Sequence, residues 1–172
     1  MLEIIGTIFI IVIGSLSHFI YDWSKHNKIV GYFAAVNEST WEHIKLVILP
    51  TFLWMAIEYH WYIDWDNYFF SRFIGLLVMM ILIPVLFYGY QIVTKKNNFI
   101  VDILIFIVSV ILGQMIFSQL VKIDVNSLVL LHIGIIGLIS IFLIYMTRTY
   151  VPKKNFIFKD PVTKKYGINR RR

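Results

Sequence analysis

The sequence has no cysteine. Disulfides, thiolate metal sites and cysteine nucleophiles are therefore excluded, and the redox compartment is left open. Charge is scarce as well. Asp, Glu, Lys and Arg make up 15% of the residues, against about 25% in soluble domains. No basic residue precedes the first apolar run, which opens Met1-Leu2-Glu3, and no small-residue cleavage site of the usual form closes it. These absences argue for an uncleaved first span rather than a signal peptide. There is no internal repeat, and no metal signature such as H-E-x-x-H occurs.

Apolar residues are what the chain has in excess, at 59% of 172 residues. A soluble domain of this size could not bury so much apolar surface, whereas a bilayer is itself the apolar solvent. A helical span needs about 20 mostly apolar residues. Five stretches qualify: Leu2 to Tyr21, Ile44 to Ile63, Phe70 to Val93, Phe99 to Val121 and Leu128 to Thr147. The expected fold is an all-α membrane bundle of about five spans over residues 1–150, followed by a basic cytoplasmic tail over 151–172. Polar breaks separate the spans at Asp64 to Asn67, Thr94 to Asn98 and Lys122 to Ser127, and Asn126 or Ser127 can cap the last helix. Pro50 and Pro84 fall inside the second and third spans and should kink them. Between the first two spans, Ile29 to Val36 is too apolar for a free loop and too short to cross, which fits an interfacial segment.

Positive charge sets the expected orientation. With the N-terminus outside, all of the 16 lysines and arginines except Arg72 and Lys122 lie on the cytoplasmic side. Aromatic rings at both ends agree, with Trp54, Tyr59, Trp61, Tyr62, Trp65 and Tyr68 at the outer end and Trp23, Tyr32 and Trp41 at the inner. The tail from Lys153 to Arg172 should attract anionic lipid; twenty residues supply no stacking platform, so no nucleic acid is expected.

The densest polar cluster, Asn37 to Lys45, stands just before the second span. One reading is structural. Ser39 and Glu42 have capping-box spacing, Glu38 and Glu42 suit a helix N-terminus, and Lys45 can snorkel to the headgroups. The other reading is a site. His18 and Asp22 share a face at the inner end of the first span, together with Gly14. Asp102 lies about 6 Å inside the fourth span, on a face with Ser109 and Gly113. His18, Asp22, Asn37, Glu38, Glu42, His43, Lys45 and Asp102 can thus converge at the cytoplasmic interface. Imidazoles with carboxylates bind metals or move protons; His18, Glu42 and His43 are the candidate metal ligands. A second group lies in the outer half: Glu58 and His60, Gln114 and His132. Glu58 and His60 are two apart and face different ways, and His132 is about 6 Å deep.

His18, the string Asn37-Glu38-Ser39-x-Trp41-Glu42-His43-x-Lys45 and the tail Phe158-Lys159-Asp160-Pro161-Val162-Thr163-x-x-Tyr166-Gly167-Ile168 resemble a family of small prokaryotic membrane proteins of unknown function. The resemblance covers most of the chain. It implies a multi-pass membrane protein and supplies no activity or cofactor. The leading expectation is binding of a small molecule or lipid headgroup at the inner cluster, in a transporter-like form whose solute path would run between protomers of a homo-oligomer. A membrane-embedded hydrolase or transferase, metal-dependent or not, is the alternative, and a structural or partner-binding subunit without a site is the third.

Overall fold

A computed structural model describes residues 1–95 and 98–168. Six α-helices follow one another: α1 (Leu2–Trp23), α2 (Lys28–Phe33), α3 (Thr40–Glu58), α4 (Tyr68–Thr94), α5 (Phe99–Leu120) and α6 (Leu128–Arg148). A short 3-10 turn, Tyr59–Trp61, ends α3. Lys96 and Asn97 of the expected break from Thr94 to Asn98, and Asn169, Arg170, Arg171 and Arg172 of the tail, lie outside the described residues.

Caps fix where the helices begin. Asn27 starts α2, Ser39 starts α3, Asn98 starts α5 and Ser127 starts α6, each by accepting a hydrogen bond from a first-turn amide. Of the two cap candidates before α6, Ser127 is therefore the one used. Both α3 and α4 continue through their prolines.

Close contacts give the helix directions. Gly6 and Gly14 of α1 lie against Trp54 and Leu46 of α3, so these two helices are antiparallel. Thr40 meets Tyr88 and Glu58 meets Tyr68, so α3 and α4 are antiparallel too. Gly75 of α4 lies on the Gly113 carbonyl of α5, so close that a Cβ added at Gly113 would stand 2.6 Å from the Gly75 oxygen. Backbones approach this closely only where residues are small. Tyr90 meets Asp102, Gly134 of α6 lies against Phe69 and Phe70, and Lys45 meets Thr149, so the ends of α1, α4 and α6 and the starts of α3 and α5 share one end of the bundle.

α1, α4, α5 and α6 are long and apolar enough to cross a membrane. α3, the second of the five expected spans, is not among them. It carries Glu42, Lys45 and Glu58, and all three are buried. Its 19 residues reach about 28 Å at 1.5 Å per residue, through the centre of the bundle between α1 and α4. Elsewhere the pattern of a soluble protein is inverted. Leu104, Val108, Ile111, Leu112, Met115 and Ile116 of α5 face outward, while Arg72 and Gln114 face inward. Apolar surfaces turned outward and charges turned inward are what a lipid solvent selects.

Between α1 and α3, the expected interfacial segment is the short helix α2. Tyr150, just after α6, closes on it by packing its ring at a tilt against Tyr32, ring centroids 4.2 Å apart, and donating its hydroxyl to the Lys28 carbonyl. Burial raises the Tyr150 hydroxyl's pKa, so it remains a neutral donor.

Candidate functional site

The motif before α3 resolves into separate tasks. Asn37 Oδ1 accepts from the Ser39 amide at 2.8 Å, and its Nδ2 donates to the Gly167 carbonyl at 2.8 Å. Ser39 Oγ accepts from the Glu42 amide at 3.4 Å, which is the N-cap. The capping box is only half formed, because Asn37 already serves the Ser39 amide. Glu42 turns inward instead. Its Oε2 accepts from Lys45 Nζ at 3.0 Å and its Oε1 from the Thr149 hydroxyl at 2.8 Å. Lys45 Nζ also reaches the Gly31 and Ala34 carbonyls at 2.9 and 2.8 Å, and Thr149 Oγ1 at 2.9 Å. Lys45 therefore does not snorkel. It is a buried ammonium that ties α2, α3 and the end of α6 together.

Trp41 lies between two rings, 3.9 Å from Tyr145 and 4.3 Å from Phe158 between centroids. Phe158 belongs to the tail, which folds back onto the bundle. The Trp41 amide donates to the Ile157 carbonyl at 3.0 Å. Asp160 is buried and holds the turn through the Val162 amide at 2.8 Å and the Thr163 hydroxyl at 2.6 Å. Beyond it, Gly167 has φ +65°, and a Cβ there would stand 2.8 Å from the Thr149 carbonyl. Only glycine suits both the backbone and the space.

Glu38 and His43 remain, with His18 of α1. Glu38 Oε2 stands 3.7 Å from His18 Nε2 and 3.6 Å from His43 Nε2. The two rings are 5.5 Å apart between centroids. All three side chains are partly exposed, with Glu38 at 40%. They border a cavity of 310 Å³ whose other walls include Phe19, Leu46, Phe87, Phe99, Ile103 and Phe106, with Asp102 and the tail's Pro161 and Val162. Two imidazoles and a carboxylate at one point can ligate a cation, hold a polar headgroup or pass a proton.

The chain belongs to the family of unknown function DUF6512. The match runs over residues 2–168, from the start of α1 to the last described residue of the tail. No curated protein and no solved structure matches the chain. The family's function is not assigned, so chemistry has to be argued from the side chains.

Not every expected residue joins the cluster. Asp22 pairs with His26 at 3.0 Å on the exposed end of α1. Both line a second, smaller opening beside His18 and Glu38. Asp102 accepts from the Tyr90 hydroxyl at 2.6 Å and shares the cavity wall with His43. Glu42, expected as a metal ligand, is taken by Lys45 and Thr149, and Glu38 stands by the two imidazoles in its place.

The outer group divides. Glu58 and Gln114 meet at Arg72: the guanidinium pairs with Glu58 and donates to Gln114, and Tyr68 donates to Glu58 at 3.0 Å. Glu58 thus faces the interior rather than the headgroups. His132 bonds the Leu128 carbonyl of its own helix at 2.6 Å, and His60 is exposed beside Trp61. Neither joins Glu58. Arg72, Tyr68, Thr149 and the cavity-lining rings escape sequence reading. For Arg72 there is a signal, since an arginine inside an apolar run must find a buried partner.

Proposed function

We propose that this chain is an integral membrane protein that holds the polar end of an amphiphile, a lipid headgroup or a small molecule of like chemistry, at His18, Glu38 and His43. The apolar part would occupy the adjoining cavity. One observation carries this reading: the polar cluster opens onto a 310 Å³ cavity whose remaining wall is mainly aromatic and aliphatic. Binding sites commonly combine apolar walls with a few convergent polar groups.

In this reading the N-terminus is outside and the cluster faces the cytoplasm. The charge asymmetry supports it, since Lys25, Lys28, Lys153, Lys154, Lys159, Lys164 and Lys165 are exposed around the cluster's end of the bundle. Those lysines would also draw anionic lipid to that end of the bundle.

Native mass spectrometry of protein released from mild detergent tests the binding. The wild type should retain an amphiphile of defined mass. Ile103→Trp, which fills the cavity, should lose it, and Leu104→Trp, on the outward face, should keep it. Equal retention by both variants would overturn the reading.

A further inference from the structure

We propose that His18, Glu38 and His43 form a site for one borderline divalent metal ion of the zinc class. The inference rests on the triad's geometry and not on the amphiphile reading.

The distances decide it. Hydrogen bonds of the N–H···O type are 2.7–3.2 Å long. The Glu38 oxygen lies 3.7 Å from His18 Nε2 and 3.6 Å from His43 Nε2, beyond that range in both cases. Donors on a tetrahedral ion with bonds of 2.0–2.1 Å stand about 3.4 Å apart. The three ligand atoms already lie within 4.8 Å of one another, so a small rotation of each side chain closes the set. They come from three places, α1, the α2–α3 connection and α3, and the family tail packs beside them.

The surroundings favour a cation. The openings that border the triad are lined by Asp22, Asp102 and Asp160 in addition to Glu38, and by no lysine or arginine among the described residues. The basic groups lining these openings are the imidazoles themselves and His26. Lys45 is turned away to Glu42 and the α2 carbonyls. His18 Nε2 is the ring nitrogen nearest Glu38, while Nδ1 is buried with no hydrogen-bond partner, so ligation falls to Nε2. Two neutral imidazoles and one carboxylate are a ligand set used by zinc, leaving a fourth position. Here that position faces the cavity.

The test uses the full chain in detergent, stripped with a chelator and dialysed against Zn²⁺. One Zn²⁺ per chain is expected. His18→Ala and His43→Ala should each weaken binding by about 10-fold or more, by analogy with the losses seen even for outer-shell changes. Glu38→Gln should weaken it while keeping the side chain's shape. His26→Ala, at the neighbouring exposed pair, should bind as the wild type does. Co²⁺ should give the visible absorption of a four-coordinate site, and Mg²⁺ should not compete. The two histidines sit on different helices, so if one variant fails to fold the other still reports. Zn²⁺ binding unchanged by His18→Ala or Glu38→Gln would overturn the proposal, as would no binding by folded wild type. Zinc binding with no retained amphiphile would remove the ligand reading and leave the metal. A retained amphiphile without zinc would do the reverse.

Discussion

At the scale of single residues, this protein places its charges according to the cost of burying them. Lys45 and Glu42 are both fully buried, yet each atom of the pair has a partner. Removing one partner of such a pair leaves an uncompensated charge and costs about 3–5 kcal/mol. Lys45→Met should therefore lower thermal stability in detergent sharply, and Glu42→Gln should do so nearly as much. The double substitution Glu42→Leu with Lys45→Met should recover part of the loss, since an apolar pair carries no desolvation cost. If Lys45→Met melts like the wild type, Lys45 does not hold α2 and α6 to α3. Ser39→Ala removes only a cap and should cost about 1 kcal/mol. The two residues share one short motif, and the melting temperatures should separate their roles.

Helices were the most legible element, because apolar run length and local caps are written in consecutive residues. The starts at Phe99 and Leu128 match the expected ones, and Ser39 and Ser127 sit where capping chemistry requires. The polar partners were less legible. Glu42 satisfies a capping-box spacing, but Asn37 occupies the amide first, and nothing local in the sequence tells that Thr149, 107 residues away, offers a hydroxyl. Glu38 and Glu42 are four apart, and only the fold separates the one that faces two histidines from the one that faces a lysine. Close packing between helices gives an opposite-sign test. A Cβ at Gly134 would stand 2.4 Å from the Phe70 amide nitrogen and 2.5 Å from the Phe69 carbonyl carbon, backbone that cannot yield, whereas at Gly89 it would meet nothing within 4 Å. Gly134→Ala should destabilise the α4–α6 pair. Gly89→Ala should be neutral or stabilising by up to about 1 kcal/mol, the propensity difference between the two residues. Equal effects on the melting temperature would mean that α6 does not lie against α4 at this point.

Taken whole, the molecule is an inside-out bundle closed at one end by its own tail. The sequence reads the tail as a basic segment that attracts anionic lipid, and its aromatic residues carry no local sign of a docking place. Trp41 is that place, with Phe158 stacked on it and buried. Phe158→Ala should cost about 3 kcal/mol, as large-to-small changes at buried aromatics do, and should loosen the wall formed by Pro161 and Val162. Faster proteolysis after Pro152 would report it; unchanged proteolysis would argue against docking. Because the chain lacks cysteine, orientation can be read with single introduced cysteines. Asp66→Cys should label from outside intact cells and Lys159→Cys only after permeabilisation. Labelling of both from one side would contradict the proposed topology.

Whether the cavity beside His18, Glu38 and His43 holds an amphiphile can be read with a photoreactive leucine analogue at Leu46. Leu46 is buried in the bundle and lines the cavity, whereas Leu104 faces outward. Irradiation in membranes should give one selective amphiphile adduct at position 46 and a mixture reflecting the bulk lipids at position 104. No adduct at position 46, or the same mixture at both positions, would mean that the cavity holds no amphiphile.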